Sequence, residues 1–370
     1  MLKFLFVCLL WTAPAAAETI AIIGDSVSTG GASHSALAFD IDRMEAVFGG
    51  KTKLDIDEAT LSFLTSEGVT NPTIPPERLG LSPREFVHPL VWMLNSFVTS
   101  MSSQYLDMEE FSWGNLLGHL GAADKILIAA RDGEKSLHAK QQVDRILDGA
   151  PGQALDHVFI FFTGNDLCAS QAELITARDD YTDEISKAVR YLITNATPAA
   201  AGKITHIWLM DPLGVAQLVT SPAIQNKKIW AYGAEHTCKQ LQSNDLDKNL
   251  IGTPTNAVTP VARAILGQIF SGGTAGLCPT LFSYHHTNEI TDLLPISDAL
   301  NGYRAGLAEI AKNLNELNPR YRVAVLNSPS TLSFADTDIG NDCFHLSVRG
   351  QMKIAKLVKT EIESKVKVSK

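Results

Sequence analysis

Apolar residues gather in short runs separated by turn-forming polar residues, and between the runs apolar positions recur at helical spacing. The run that leads the pattern is Ile20-Ala21-Ile22-Ile23. Three of its four residues are β-branched, which predicts a strand buried on both faces. Lys125–Ala130, Val158–Phe162, Ile204–Met210 and Tyr321–Leu326 predict four further strands. Helices are expected in the intervals. One runs to Leu147, and one covers Asp179–Thr194 with Tyr181, Ile185, Ala188, Val189 and Leu192 on a single face. Another covers Asp298–Leu317, striped by Leu300, Tyr303, Leu307, Ile310, Ala311 and Leu314. The last runs from an N-cap at Ser347 to Ile362, with Glu363–Lys370 expected as a frayed basic end.

Strands alternating with helices predict an α/β, flavodoxin-like three-layer sandwich. The expected sheet is parallel and five-stranded, in the order 2-1-3-4-5. In such a sheet ligands bind beyond the carboxyl ends of the strands, at the switch point between the first and third. Ser26 and Asn165 follow those two strands and are expected to face each other. Two stretches lack the alternation, 35–112 and 215–295, and read as insertions into a single domain spanning 18–370. Pro72, Pro75, Pro76, Pro83 and Pro89 exclude a continuous helix through the middle of the first, where Pro89–Met101 predicts a short one.

The amino terminus changes the picture of where the chain works. Lys3, an apolar run from Phe4 to Trp11 and Ala15-Ala16-Ala17 predict a signal peptide cut after Ala17, with export to the periplasm or the medium. The run falls short of the ~20 residues needed to span a bilayer. The formal charge of −9 argues against a nucleic-acid partner. Of five cysteines, Cys8 leaves with the signal. The remaining four predict up to two disulfides and allow three pairings. Cys238 and Cys278 share one insertion, while Cys168 and Cys343 each sit beside a chemical motif. The expected pairing is therefore 238–278 with 168–343. A zinc site using His236, His285 or His286 is the rival use, without any C-x-x-C or H-E-x-x-H spacing to support it.

The candidate chemistry starts at Gly24-Asp25-Ser26. A serine at a strand end gains from the amides of the following helix, but the bare triplet is usually a turn. A hydroxyl nucleophile needs a base, and the base needs an orienting acceptor. Asp342-Cys343-Phe344-His345 offers both in one loop. The oxygen that becomes negative during attack on an ester needs fixed donors. The backbone N–H groups of Ser26 and Gly133 and the side-chain amide of Asn165 fall at strand ends. Asp166 reads as a loop-fixing residue, and Ser28 as a rival nucleophile set further into the turn. His34, His88, His119, His138, His157 and His206 have no carboxylate at comparable spacing.

Taken in order, Gly24-Asp25-Ser26, Gly133, Gly164-Asn165-Asp166 and Asp342-x-x-His345 resemble the blocks of the SGNH (GDSL) hydrolase superfamily. The flanks Asn165-Asp166-Leu167-Cys168 and Asp342-Cys343-Phe344-His345 resemble its phospholipase B-like branch. The resemblance implies Ser26 as nucleophile, His345 as base, Asp342 as its orienter, and Ser26, Gly133 and Asn165 as oxyanion donors. It also implies ester hydrolysis without metal or organic cofactor, on lipid acyl esters such as phospholipid or lysophospholipid, with transient contact with membrane lipid. A carbohydrate O-acetyl ester suits the same site, and a catalytically idle ligand-binding module is the alternative of another class. Val27 stands where the family has leucine. Arg131 and Asp132 stand where the branch usually has apolar residues and a proline. The absence of G-x-S-x-G disfavours an α/β-hydrolase.

Overall fold

The computed structural model describes residues 18–30, 58–69, 77–78, 111–231, 234–243 and 273–368. The expected signal peptide, the expected helix at Pro89–Met101, and His34 and His88 lie outside the described residues. Five strands carry the sheet: β1 (Thr19–Gly24), β2 (Lys125–Ile128), β3 (His157–Phe161), β4 (Thr205–Met210) and β5 (Tyr321–Leu326). They lie in the order β2-β1-β3-β4-β5 and all pair in parallel, with Ile22 beside both Ile128 and Phe159. A two-residue strand, Glu77–Arg78, extends the sheet beyond β2. The first insertion therefore contributes an edge strand, which the pattern did not predict because two residues carry no periodicity.

Helices α3 (Ala139–Gly149), α4 (Arg178–Asn195) and α5 (Leu294–Leu314) pack in sequence against one another. Helix α6 (Val348–Val368) packs instead on α2 (Trp113–His119). Right-handed crossovers place these two groups on opposite faces of the sheet. Trp113 of α2 meets β3 edge-on, 5.3 Å from Phe159 and 6.1 Å from Phe161. The central strand β1 is buried along its whole length. Gln351 of α6 is fully buried and joins the two ends of the chain. Its Oε1 accepts from Trp113 N at 2.9 Å and its Nε2 donates to Val27 O at 3.2 Å.

Two helix limits differ from the sequence pattern. α5 begins at Leu294, before Pro295, because proline is tolerated in the first helical turn where its missing N–H has no partner to lose. α6 does not fray after Ile362 but continues to Val368. Lys359–Glu363 and Glu361–Lys365 pair one turn apart, and Lys365 and Lys367 oppose the negative end of the helix dipole.

The described residues of the second insertion fold into short helices and an antiparallel hairpin, Lys228–Ala231 with Ala234–Thr237. The expected disulfide pairing is wrong. Cys168 bonds Cys278, and Cys238 bonds Cys343. Proximity in sequence misled. Cys238 follows the hairpin into a small apolar cluster with Ile229, Leu241 and Cys343, while Cys278 lies beside the loop after β3. Each cysteine of the insertion thus bonds outward to the domain. All four sulfurs are engaged, so none is a thiolate for a metal, and the described residues contain no His, Cys, Asp or Glu cluster with metal-site geometry.

Candidate active site

β1 ends at a glycine that admits no side chain. A Cβ on Gly24 would stand 2.2 Å from Phe161 O and 2.4 Å from Ser28 Oγ. The chain then enters a single helical turn, α1 (Ser26–Thr29), capped by Asp25. Asp25 Oδ1 accepts from Val27 N at 3.0 Å, and Oδ2 accepts from Thr163 N at 2.8 Å and Gly164 N at 2.9 Å. One buried carboxylate therefore locks the end of β1 to the end of β3. Burial pushes its pKa up to about 6 against the pull of those three N–H groups. Ser28 is fully buried and donates to Phe161 O at 3.3 Å, so it points back into the sheet.

Ser26 Oγ lies 3.0 Å from His345 Nε2, across a separation of 319 residues. His345 Nδ1 lies 2.5 Å from Asp342 Oδ2. Ionised Asp342 only accepts, so Nδ1 carries the hydrogen and Nε2 of the neutral ring faces the hydroxyl as an acceptor. All three side chains are buried. Burial alone would lower the pKa of His345, but the Asp342 charge and hydrogen bond outweigh it and hold the imidazole above its usual value. Burial likewise opposes ionisation of Asp342, and His345 with two backbone N–H groups outweighs it, so Asp342 sits below the usual carboxylate range.

The loop that holds this pair is a built object. Asp342 Oδ1 accepts from Phe344 N at 3.0 Å and His345 N at 2.9 Å. Between them Cys343 adopts φ +59°, a left-handed conformation that costs a non-glycine residue roughly 1–2 kcal/mol. The Cys238 disulfide holds it there, and Gln242 Nε2 donates to Cys343 O at 2.8 Å. The Lys227 ammonium donates to the carbonyls of Ile339 and Gly340, and Thr274 Oγ1 donates to Asp342 O at 2.9 Å. Every one of these props comes from the second insertion.

The three expected donors come from the turns after β1, β2 and β3. Among the described residues neither Ser26 N–H nor Gly133 N–H has an acceptor. Gly133 takes φ +75°, and among the described residues beyond its chain neighbours no atom lies within 4 Å of the place a Cβ would fill. Asn165 Nδ2 donates one hydrogen to Glu134 O at 3.0 Å, which fixes the amide and leaves its second hydrogen. Asp166 is engaged by Ser136. It is buried and accepts from Ser136 N at 2.9 Å and Ser136 Oγ at 2.8 Å, joining the loops after β3 and β2. The Thr29 hydroxyl of α1 contacts the Asp132 carboxylate, so Asp132 joins the loop after β2 to the turn after β1.

The remaining histidines do other things. His138 Nδ1 accepts from Lys135 N at 3.2 Å. His157 and His206 stack at the far end of the strands with Trp208, whose Nε1 donates to His157 Nδ1 at 2.9 Å. Sequence reasoning missed Gln142, Glu134 and Arg145 behind the turn at Gly133, and Gln242 and Lys227 behind the base. No motif marks them, because each acts through a contact between elements distant in the chain.

An arrangement of this kind can lower the barrier to attack by a serine oxygen on a carbonyl, with donors ready for the charge that develops. No protein-family model matches the chain, and no curated protein matches it. Among solved structures, a lipase/acylhydrolase from Enterococcus faecalis is similar at 10% identity and TM-score 0.36, over 94% of this chain and 96% of that one. A carbohydrate acetylesterase family member from Sinorhizobium meliloti is similar at 10% identity and TM-score 0.39, over 94% of this chain and 98% of that one.

Proposed function

We propose that the protein is an exported serine hydrolase of carboxylic esters, of SGNH type, working through an acyl-enzyme. The observation that carries this reading is the hydrogen-bonded line Ser26–His345–Asp342, with Oγ to Nε2 at 3.0 Å and Nδ1 to Oδ2 at 2.5 Å. His345 Nε2 takes the proton of Ser26 as Oγ bonds the carbonyl carbon. The carbonyl oxygen gains charge and is received by Ser26 N–H, Gly133 N–H and Asn165 Nδ2. The tetrahedral species collapses, and His345 gives its proton to the departing alcohol. Water then repeats the sequence on the acyl-serine, with His345 again as base. Asp342 holds the tautomer and stabilises the imidazolium in both halves.

Two disulfides in the described residues support an oxidising compartment, in keeping with the signal-like amino terminus. No described helix is long and apolar enough to cross a membrane. For substrate, the flanks of Asn165 and His345 support lipid acyl esters, phospholipid or lysophospholipid, met by transient contact with lipid. An O-acetylated carbohydrate is the competing substrate for the same chemistry. The deciding experiment is hydrolysis of p-nitrophenyl esters of increasing chain length by wild type and Ser26→Ala, alongside labelling by an organophosphonate. Rising kcat/KM with chain length and a label on Ser26 support the lipid reading. A preference for acetate moves the substrate to sugar esters, and an unlabelled, inactive wild type overturns the hydrolase.

A further inference from the structure

The turn at Gly133 is held from behind by charge. Glu134 is the next residue, and its carboxylate takes both arms of the Arg145 guanidinium, at 2.7 Å and 2.9 Å. Both side chains are largely buried. Gln142 Nε2 adds a third bond to Glu134 at 2.6 Å. The same Gln142 amide clamps Gly24, donating to its carbonyl at 2.8 Å and accepting from its N–H at 2.7 Å. Arg145 Nη1 also donates to Ala129 O at 3.3 Å, where β2 runs out. Meanwhile the Glu134 carbonyl accepts from the Asn165 amide. One residue thus touches, through backbone or side chain, the element behind each of the three oxyanion donors: Gly133 by the chain, Asn165 by its carbonyl, and the Ser26 turn by way of Gln142 and Gly24.

We infer that Glu134, held by Arg145 and Gln142, is the positioning residue of the oxyanion site, setting the Gly133 and Asn165 donors against the turn that carries Ser26. The inference rests on the ester-hydrolase reading. A bidentate guanidinium–carboxylate pair fixes direction as well as distance, which is what a donor aimed at a developing charge requires. Such a device acts on the transition state more than on the bound ester, so its loss falls on kcat and not on KM.

The test is a double-mutant cycle of Glu134→Gln with Asn165→Ala, repeated with Arg145→Lys in place of Glu134→Gln. In the wild type, Asn165→Ala is expected to cost on the order of 10²–10³-fold in kcat. In either positioning variant the same change costs about tenfold or less, because the amide is already misdirected. Glu134→Gln itself lowers kcat with KM near wild type, and the acid limb of the pH profile, set by His345, stays where it is. Arg145→Lys, which keeps the charge but loses the fork, falls between wild type and Glu134→Gln. Equal costs of Asn165→Ala in wild type and in the positioning variants overturn the inference while the hydrolase reading stands. A wild type without esterase activity overturns both.

Discussion

The two sides of the site are held by different physics. Ser26 stands on a turn that follows the central strand, with Gly24 pressed against β3 and Asp25 bonded to it. Its place follows from the packing of the sheet. His345 stands on a loop whose left-handed Cys343 is kept by a disulfide and by Gln242, and whose carbonyls are braced by Lys227. Its place follows from an insertion outside the sheet. A proposed nucleophile on the core and a proposed base on a stapled loop differ in what can dislodge them.

The largest effects should come from the reacting groups and leave the comparison intact. Ser26→Ala and His345→Ala should each lower kcat by on the order of 10⁵–10⁶, and the double variant by little more, since the two act as one unit. Additive losses, read by steady-state kinetics, would show that they do not. Asp342→Asn should cost roughly 10⁴-fold. It should also shift the pH profile in a defined direction. His345 must be neutral to act, so kcat/KM falls as pH drops through its raised pKa. Without the Asp342 charge and hydrogen bond, burial is opposed only by the charges of Asp132 and Asp25, and the acid limb moves to lower pH. A limb that stays in place would mean another group sets it.

The two disulfides separate the two sides. They close loops with separations of 110 and 105 residues, and losing either should cost ~2–5 kcal/mol of stability, measured by denaturant unfolding. Activity should divide them. Cys238→Ser should lower kcat/KM well beyond what Cys168→Ser does, because it releases the backbone between Asp342 and His345. Equal activity in the two variants, at a temperature where both are folded, would remove the distinction drawn between core and staple.

The smallest effect lies at the opposite end of the strands. Burial, with each imidazole beside the other or beside Lys203, lowers His157 and His206 to about 4. In the unfolded chain both take up protons near pH 6.5. Their contribution to stability is therefore present above that value and lost as pH falls from 6.5 toward 4. Replacing His206 with Phe should flatten that slope in unfolding measured across this range while leaving kcat/KM at neutral pH unchanged. An unaltered slope would assign the acid sensitivity elsewhere.

What could be read in the sequence follows the same division. β1 and β3 were legible because buried parallel strands are continuous apolar runs, and the strand order followed from fitting five alternating strands to the flavodoxin-like pattern. Ser26, Asn165, Asp342 and His345 were legible as candidates because each sits at a strand end or within a short spacing. The disulfide partners were not, since pairing depends on where an insertion without periodicity packs. Glu134, Gln142 and Arg145 were hidden for a related reason. Eight and three residues separate them, a spacing with no meaning until a glycine turn folds the first back onto the helix bearing the others.

A ribosome delivers Ser26 early and His345 late, 319 residues afterwards. At ~5–20 residues per second that interval is on the order of tens of seconds. Throughout it the chain owns the Ser26 hydroxyl but not the imidazole that faces it, and the bond from Cys343 to Cys238 still awaits an oxidant. On the proposed reading, hydrolysis waits for the carboxyl-terminal loop, because the serine is made long before the histidine that faces it.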